Sequence, residues 1–316
     1  MTAYSQLAGF RGGDGVVRLI GHRGARGVMP ENTMAGFEFT TMIGVEALEF
    51  DVVMTRDRVP VITHNHHLIS SATRTPGGDW IKGAEPKVSE MSLAEVQALD
   101  VGGLDGRTTY GRRFPDQAFL NDAHVPRLSD LLGFASRPEN SNLHLLLELK
   151  SDPVARNDAQ EHRNVVATVV GEVRAHHLEA RTVLHSFDWL LLDECRRQAP
   201  EMPTSYLSQL PENPADAGED SSLAAGPDFN SLQKSIPQTV HESGGQMWCP
   251  HFMDVTPALV DEAHALGLLV SAWTVNETAD IQAMIAAGVD GIVSDYPGRV
   301  QHCLLNHGLR WTNGAR

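Results

Sequence analysis

Eight short apolar runs mark this chain from end to end, at residues 17–21, 47–52, 143–150, 182–187, 204–208, 246–251, 268–275 and 291–294. Each reads as a β-strand. Helical apolar spacing falls between most of them, at residues 32–43, where Asn32 is a capping-type start, and at 164–176, 256–266 and 278–287. Strands that alternate with helices are parallel, because the helix carries the chain back to the starting edge. Eight strands in that rhythm predict a (β/α)8 TIM barrel. At 316 residues the chain has room for one large barrel or two ordinary domains, and barrels of this class exceed 200 residues as single domains. The rhythm predicts one barrel domain over residues 1–316, and no internal repeat is evident.

Two stretches break the rhythm. Residues 66–126 carry Gly77-Gly78-Asp79, the run Asp100-Val-Gly-Gly-Leu-Asp-Gly and Tyr110-Gly-Arg-Arg-Phe-Pro. Within them only residues 92–99 read as a helix, with Ser92 as N-cap and Glu95 completing a capping box. An irregular insertion after the second strand leaves the barrel at its active-site face, so it is expected to cap the pocket. Residues 209–239, rich in Pro, Asp, Ala and Ser, are expected to form a partly flexible surface excursion.

The first two runs carry the chemistry. Leu-Ile-Gly-His22-Arg23-Gly24 delivers a histidine and an arginine into a glycine-eased turn, and Leu-Glu49-Phe-Asp51-Val delivers two carboxylates at alternate positions. Alternate strand residues share a face, so Glu49 and Asp51 converge. Convergent carboxylates suit a hard divalent cation such as Mg2+ or Ca2+. The next residues, through Thr-Arg56-Asp57-Arg to Pro60-Val-Ile-Thr-His64, form a connection too short for anything but an antiparallel hairpin. A turn centred between Arg56 and Asp57 would set His64 opposite Glu49. A slip of one residue would send it to the other face. Residues 59–64 are then an excursion above the second strand, not a ninth stave. Two histidines can act as the acid and the base of one proton-transfer cycle. Glu148 and Lys150 end an apolar strand, where barrel enzymes place their chemistry.

These residues also resemble a known family. His22-Arg23-Gly24, Pro30-Glu31-Asn32-Thr33, Glu49-Phe-Asp51-Val and Pro60-Val-Ile-Thr-His64 are similar to the blocks of the glycerophosphodiester phosphodiesterases. So, in order, are Leu147-Glu148-Leu149-Lys150, Ser186-Phe187-Asp188, Trp273-Thr274-Val275-Asn276 and the segment from Gly288 to Pro297. The resemblance spans residues 17–300 and rests on the order of the blocks. It implies hydrolysis of glycerophosphodiesters to sn-glycerol 3-phosphate and an alcohol. It also implies His22 and His64 as catalytic groups, and Glu49, Asp51 and Glu148 as ligands of one Mg2+ or Ca2+. Arg23 and Lys150 become phosphate contacts, Trp273 a pocket wall, and Ser186, Asp188 and Asp295 supporting residues. The family most often has aspartate after the second histidine; this chain has Asn65, so no role is carried over to that position.

Composition trims the alternatives. The net charge of −15 argues against nucleic acid or an anionic membrane surface as partner. Cys195, Cys249 and Cys303 are scattered and odd in number, the pattern of reduced thiols. The first residues lack a basic region followed by an apolar stretch, and no run is long enough to span a membrane. A cytoplasmic enzyme is expected, or a periplasmic one if a leader has been removed. His64-Asn-His66-His67 invites a zinc reading, but adjacent strand residues point apart and no cysteine pair is near. Dinucleotide, Walker and serine-elbow motifs are missing. Two rivals stand beside the small-diester reading: a lysophospholipase D or sphingomyelinase-D-like enzyme on the same barrel, and a non-catalytic phosphate-binding module. The oligomeric state is not legible.

Overall fold

The computed structural model describes residues 4–152, 157–210 and 226–312. Its strands are β1 (Arg18–His22), β2 (Ala47–Met54), β3 (Pro60–Ile62), β4 (His144–Leu149), β5 (Thr182–Ser186), β6 (Thr204–Ser208), β7 (Met247–Pro250), β8 (Leu269–Ala272) and β9 (Gly291–Ser294). All but β3 run parallel, in the order β1-β9-β8-β7-β6-β5-β4-β2, and β2 pairs back onto β1. That last pairing closes the sheet into a (β/α)8 barrel. The eight expected strands are its eight staves. β3 pairs with β2 alone, antiparallel, as an excursion.

The helices, in chain order, are α1 (Met34–Met42), α2 (Leu93–Gln97), α3 (Thr109–Arg113), α4 (Leu128–Ala135), α5 (Ala159–Ala175), α6 (Trp189–Gln198), α7 (Ile236–Glu242), α8 (Pro257–Ala265), α9 (Thr278–Ala287) and α10 (Pro297–Asn306). The N-cap of α1 is Thr33, which accepts from the Gly36 N–H, not Asn32. α5 starts five residues before the expected 164, where Asp158 caps the N–H groups of Gln160 and Glu161. Ser92 and Glu95 form the expected capping box on α2. Residues 211–225 of the expected excursion lie outside the described residues; its later part contains α7, the crossover from β6 to β7.

Alternation along the strands sorts two cores. In β4, Leu145, Leu147 and Leu149 face the helices and pack with Val166, Val170 and Leu191, while Leu146 faces the barrel interior. The interior layer joins Leu146 to Ile20, Ala47, Val183, Met247, Leu269 and Val293. Leu7 and Phe10, from the segment before β1, pack into this layer and are wholly buried. They close the N-terminal mouth, so the polar residues that follow on the same faces gather at the other end. Residues 66–126 build a small core of their own: Leu68, Val88, Val96 and Val125 pack on Val53 and Val61 of the hairpin.

The hairpin register differs from the expected one by a residue. Val52 pairs with Ile62, Val53 with Val61 and Met54 with Pro60, so the turn centres on Asp57 and the position opposite Glu49 is 65. The Asp57 carboxylate accepts the Thr55 hydroxyl at 2.7 Å, and Arg58 takes a left-handed φ of 64°. This tight turn uses one residue more than a symmetric split. By the alternation rule the slip would send His64 to the wrong face. It does not, because the strand stops at Ile62 and the chain bends from His64 onward.

Removing the plug should cost stability but not chemistry. Phe10 lies edge-to-face on His144, with ring centroids 5.9 Å apart. Phe10→Ala is expected to lose about 3–5 kcal/mol of unfolding free energy while kcat stays within about threefold, since the plug lies at the far end of the barrel. Urea unfolding beside turnover checks this; a loss under about 1 kcal/mol means the mouth is closed by something else.

Candidate active site

The site begins with a cramped turn. Arg23 has φ 49° and Gly24 φ 85°, a left-handed pair that folds the chain back on β1. It does so closely enough that a Cβ on Gly21 would lie 2.3 Å from the Gly24 carbonyl oxygen. Arg23, a non-glycine residue in the left-handed region, is strained by about 1–3 kcal/mol. The Arg23 N–H compensates by donating to Glu49 Oε2 at 3.1 Å. The strain places the Arg23 main chain and side chain on the two carboxylates at once.

Strand register does the rest. His22 pairs with Glu49, and Asp51 with Glu148, so these side chains share the barrel-facing side. One carboxylate oxygen from each of Glu49, Asp51 and Glu148 lies within 4.8 Å of the other two, and all three residues are buried. Among the described residues no other group of three or more acids, histidines or cysteines comes so close. Lys150 Nζ sits 3.0 Å from Asp51 Oδ1 and 2.7 Å from Glu148 Oε1. Arg23 Nε is 3.5 Å from Asp51 Oδ2, and the Asn32 amide donates to that oxygen at 2.8 Å. Burial raises Asp51, but Lys150, His64 and Arg23 outweigh it and hold the group well below the usual carboxylate range. Glu49 goes the other way: burial, then the Asp51 charge, push it up. Three buried carboxyl groups thus offer only oxygen ligands around one point, with Lys150 and Arg23 beside them. An all-oxygen donor set fits a hard divalent ion, which would favour the ionised form of all three.

The two histidines flank this cage. His22 Nδ1 is 2.6 Å from Asp295 Oδ1, and His22 Nε2 is 3.8 Å from Glu49 Oε2. Asp295 also takes both Arg26 Nε and Nη2, at 2.9 and 3.0 Å, and the Asn276 amide at 2.7 Å. Arg26 and then His22 overcome burial to keep Asp295 ionised. An ionised acceptor places the imidazole proton on Nδ1 and the lone pair of His22 on Nε2. Burial outweighs the pull of Asp295 and lowers His22 to about 4. His64 is buried, and its charge interacts with Asp51 and Glu31. Its Nδ1 is 3.0 Å from Asn65 Oδ1, so Asn65 orients His64 through an amide oxygen.

Trp273 stands at the end of β8. Its indole N–H donates to the Cys249 carbonyl at 2.9 Å, and its ring meets Phe187 and His251 edge-on, at 5.4 and 5.1 Å. The Ser186 hydroxyl donates to the Leu149 carbonyl at 2.7 Å, and Asp188 caps α6. The structure groups His22, Arg23, Glu49, Asp51, Glu148, Lys150 and Asp295 by direct contacts and sets His64 close enough to interact with Asp51, whereas Trp273 stands at the end of β8 and Ser186 and Asp188 serve the backbone after β4 and at the start of α6. It adds Arg26, Tyr110 and His185, which the sequence reading missed. His185 pairs with Glu148 in the β4–β5 register; alternation along β5 gives its barrel-facing side, and barrel closure sets it beside Glu148. Arg26 and Tyr110 carry no local signal.

Asp295 is the test of this geometry. Asp295→Asn removes the carboxylate from His22 and is expected to lower kcat by about 10^2 or more in protein that remains folded by circular dichroism. A kcat within about threefold of the parent would mean that His22 needs no anionic partner.

Comparisons with known proteins give the family. Residues 22–299 match the model of the glycerophosphoryl diester phosphodiesterase family. The crystal structure of a provisionally named glycerophosphoryl diester phosphodiesterase from Silicibacter pomeroyi DSS-3 is 59% identical, with a TM-score of 0.93 over 98% of this chain and all of that one. A phosphodiesterase of Oleispira antarctica, in complex with the product sn-glycerol-3-phosphate, shares the fold at 21% identity and a TM-score of 0.68, covering 92% of this chain and 97% of that one. A human lysophospholipase D is 24% identical over 92% of this chain and 86% of its own length. The chain belongs to the glycerophosphoryl diester phosphodiesterase family and is an enzyme of that class.

Proposed function

We propose that the enzyme hydrolyses small glycerophosphodiesters to sn-glycerol 3-phosphate and an alcohol, with one divalent cation and two histidines. The observation that carries this is the buried trio Glu49, Asp51 and Glu148, with oxygens within 4.8 Å, between His22 and His64. A Mg2+ or Ca2+ ion held by these three would polarise a phosphoryl oxygen. The remaining work falls to the chain itself. Arg23 and Lys150 face the same cage and offset charge that gathers on the phosphate in the transition state. His22 offers a lone pair on Nε2, with the Asp295 carboxylate behind it to stabilise an imidazolium, and so takes the nucleophile's proton. His64, oriented by the neutral Asn65 amide, gives a proton to the departing alcohol. Each transfer is worth on the order of 10^2 to 10^4 in rate. Trp273 walls the pocket with its ring. Residues 66–126 cap the site within the single barrel domain.

The cap favours soluble substrates. Of its large apolar side chains, Leu68, Tyr110 and Phe114 are buried and Phe119 is exposed. The overall charge of −15 also opposes an anionic lipid surface. Among the described residues no helix is long and apolar enough to cross a membrane. Cys195, Cys249 and Cys303 are buried and unpaired, which supports a cytoplasmic setting. The lysophospholipase D reading draws on the human relative and on Leu190 and Met253, exposed just beyond β5 and β7.

Two measurements decide between these readings. Hydrolysis of glycerophosphocholine is expected to stop on exhaustive chelation with EDTA and to return on addition of Mg2+ or Ca2+. His22→Ala and His64→Ala are each expected to lower kcat by at least about 10^2; full activity after chelation removes the metal, and an active variant removes that histidine. In the second, kcat/KM for glycerophosphocholine is expected to exceed that for micellar lysophosphatidylcholine. A preference for the lysolipid of about tenfold, roughly 1.4 kcal/mol of transition-state binding, would give the lipid reading the better claim.

A further inference from the structure

Residues 66–126 do more than lie over the site. The Gln117 amide donates to the Arg26 carbonyl at 2.7 Å, and the Ala118 N–H to the Val28 carbonyl at 2.9 Å. The insertion is therefore docked on the turn that follows β1. Its short helix α3 enters that turn with two aromatic side chains, Tyr110 and Phe114, both buried and packed edge-to-face at 5.5 Å.

Each aromatic touches a charged group that leads to the catalytic centre. The Tyr110 hydroxyl donates to Glu31 Oε2. The other oxygen of the same carboxylate accepts from Arg23 Nη1 at 2.9 Å. Arg23 Nε in turn lies 3.5 Å from Asp51. On the second branch, the Arg26 guanidinium stacks over the Phe114 ring at 4.6 Å and sends Nη1 to the Tyr110 oxygen at 3.4 Å. Arg26 spends its Nε and Nη2 on Asp295, and Asp295 holds His22 Nδ1 at 2.6 Å.

We infer that α3 of the insertion is a positioning element of the catalytic centre, in which Tyr110 fixes Arg23 through Glu31 and, with Phe114, fixes His22 through Arg26 and Asp295. The roles of Arg23 and His22 rest on the reading given above. The physical reason is the length of the arginines. A guanidinium on a flexible stem is ordered only if its partners are ordered, and Glu31 comes from the same strained turn as Arg23. Tyr110 and Phe114 enter from outside that turn, on a segment tied within the insertion by the Asp105 N–H to the Ser71 carbonyl at 2.8 Å and the Leu120 N–H to the Gly102 carbonyl at 2.6 Å, so they supply the fixed end of both chains. Removal of one phenolic oxygen takes a donor from the half-buried Glu31 Oε2, and the carboxylate then competes for Arg23 and Arg26.

The test is a double-mutant cycle between Tyr110→Phe and Glu31→Gln, with glycerophosphocholine and bis(p-nitrophenyl) phosphate as substrates. Tyr110→Phe keeps the ring and its packing, and Glu31→Gln approaches the same bond from the barrel side. Each single variant is expected to lower kcat about tenfold or more on both substrates, with KM changed less than kcat, and the double variant should be no worse than the worse single one. Melting temperatures and circular dichroism of all variants accompany the kinetics. A Tyr110→Phe enzyme with kcat within about twofold of the parent overturns the inference, and so do fold-losses that multiply in the double variant. A shift in KM or substrate preference with kcat kept also overturns it, because that is the mark of a cover alone. If the parent cleaves the chromogenic diester but not glycerophosphocholine, the glycerophosphodiester reading fails while the cycle still decides this one.

Discussion

Three carboxylates buried within 4.8 Å of one another are the constraint from which the rest of this barrel's open end follows. Charges of one sign in a dry interior repel strongly and lose their hydration, so they persist only where the surroundings supply cations and donors. Lys150 on Asp51 and Glu148, Arg23 on Asp51, the Asn32 amide and the Arg23 N–H are that supply. The left-handed backbone at Arg23 makes sense in the same terms. Its strain is tolerated because it delivers both an N–H and a guanidinium to one cluster of negative charge. The same oxygen donors are consistent with a divalent ion in the cage.

A second buried carboxylate organises the histidine. Asp295 collects Arg26, Asn276 and His22 around one side chain. Arg26 neutralises it, and the imidazole that leans on it keeps a defined tautomer. His22 and His64 are thereby unlike: one rests on a charged carboxylate, the other on the neutral amide of Asn65. The division of proton-transfer roles proposed above rests on that difference. The insertion enters this arrangement through Tyr110 and Phe114, where Arg23 and Arg26 are stabilised by groups from outside the barrel.

Much of this was legible in the chain because the barrel is built from local periodicities. Alternation within β2 brings Glu49 and Asp51 to one face, and alternation within β4 does the same for Glu148 and Lys150, whatever the neighbours are. The hairpin shows the limit of such reasoning. Its two arms were evident, but the turn at Asp57 takes one residue more than a symmetric split, and the ladder ends at Ile62. His64 reaches the carboxylates by a bend after the strand, not by the register expected for it. The expected register missed by a residue, since turn chemistry rather than hydrophobic pattern sets register in a short hairpin.

The sequence by itself determined the eight-strand rhythm, the parallel barrel it implies, and the residues that must face inward at the strand ends, because each depends on spacing along one segment. Only the tertiary structure decided which strands become neighbours, and so that Asp51 meets Glu148 and that His185 lies beside them. It also decided that Asp295, 273 residues away in the chain, is the partner of His22, and that Tyr110 of the insertion reaches Glu31. Those pairings depend on barrel closure and on the docking of a segment with no periodic pattern. They bring together groups that no local spacing relates.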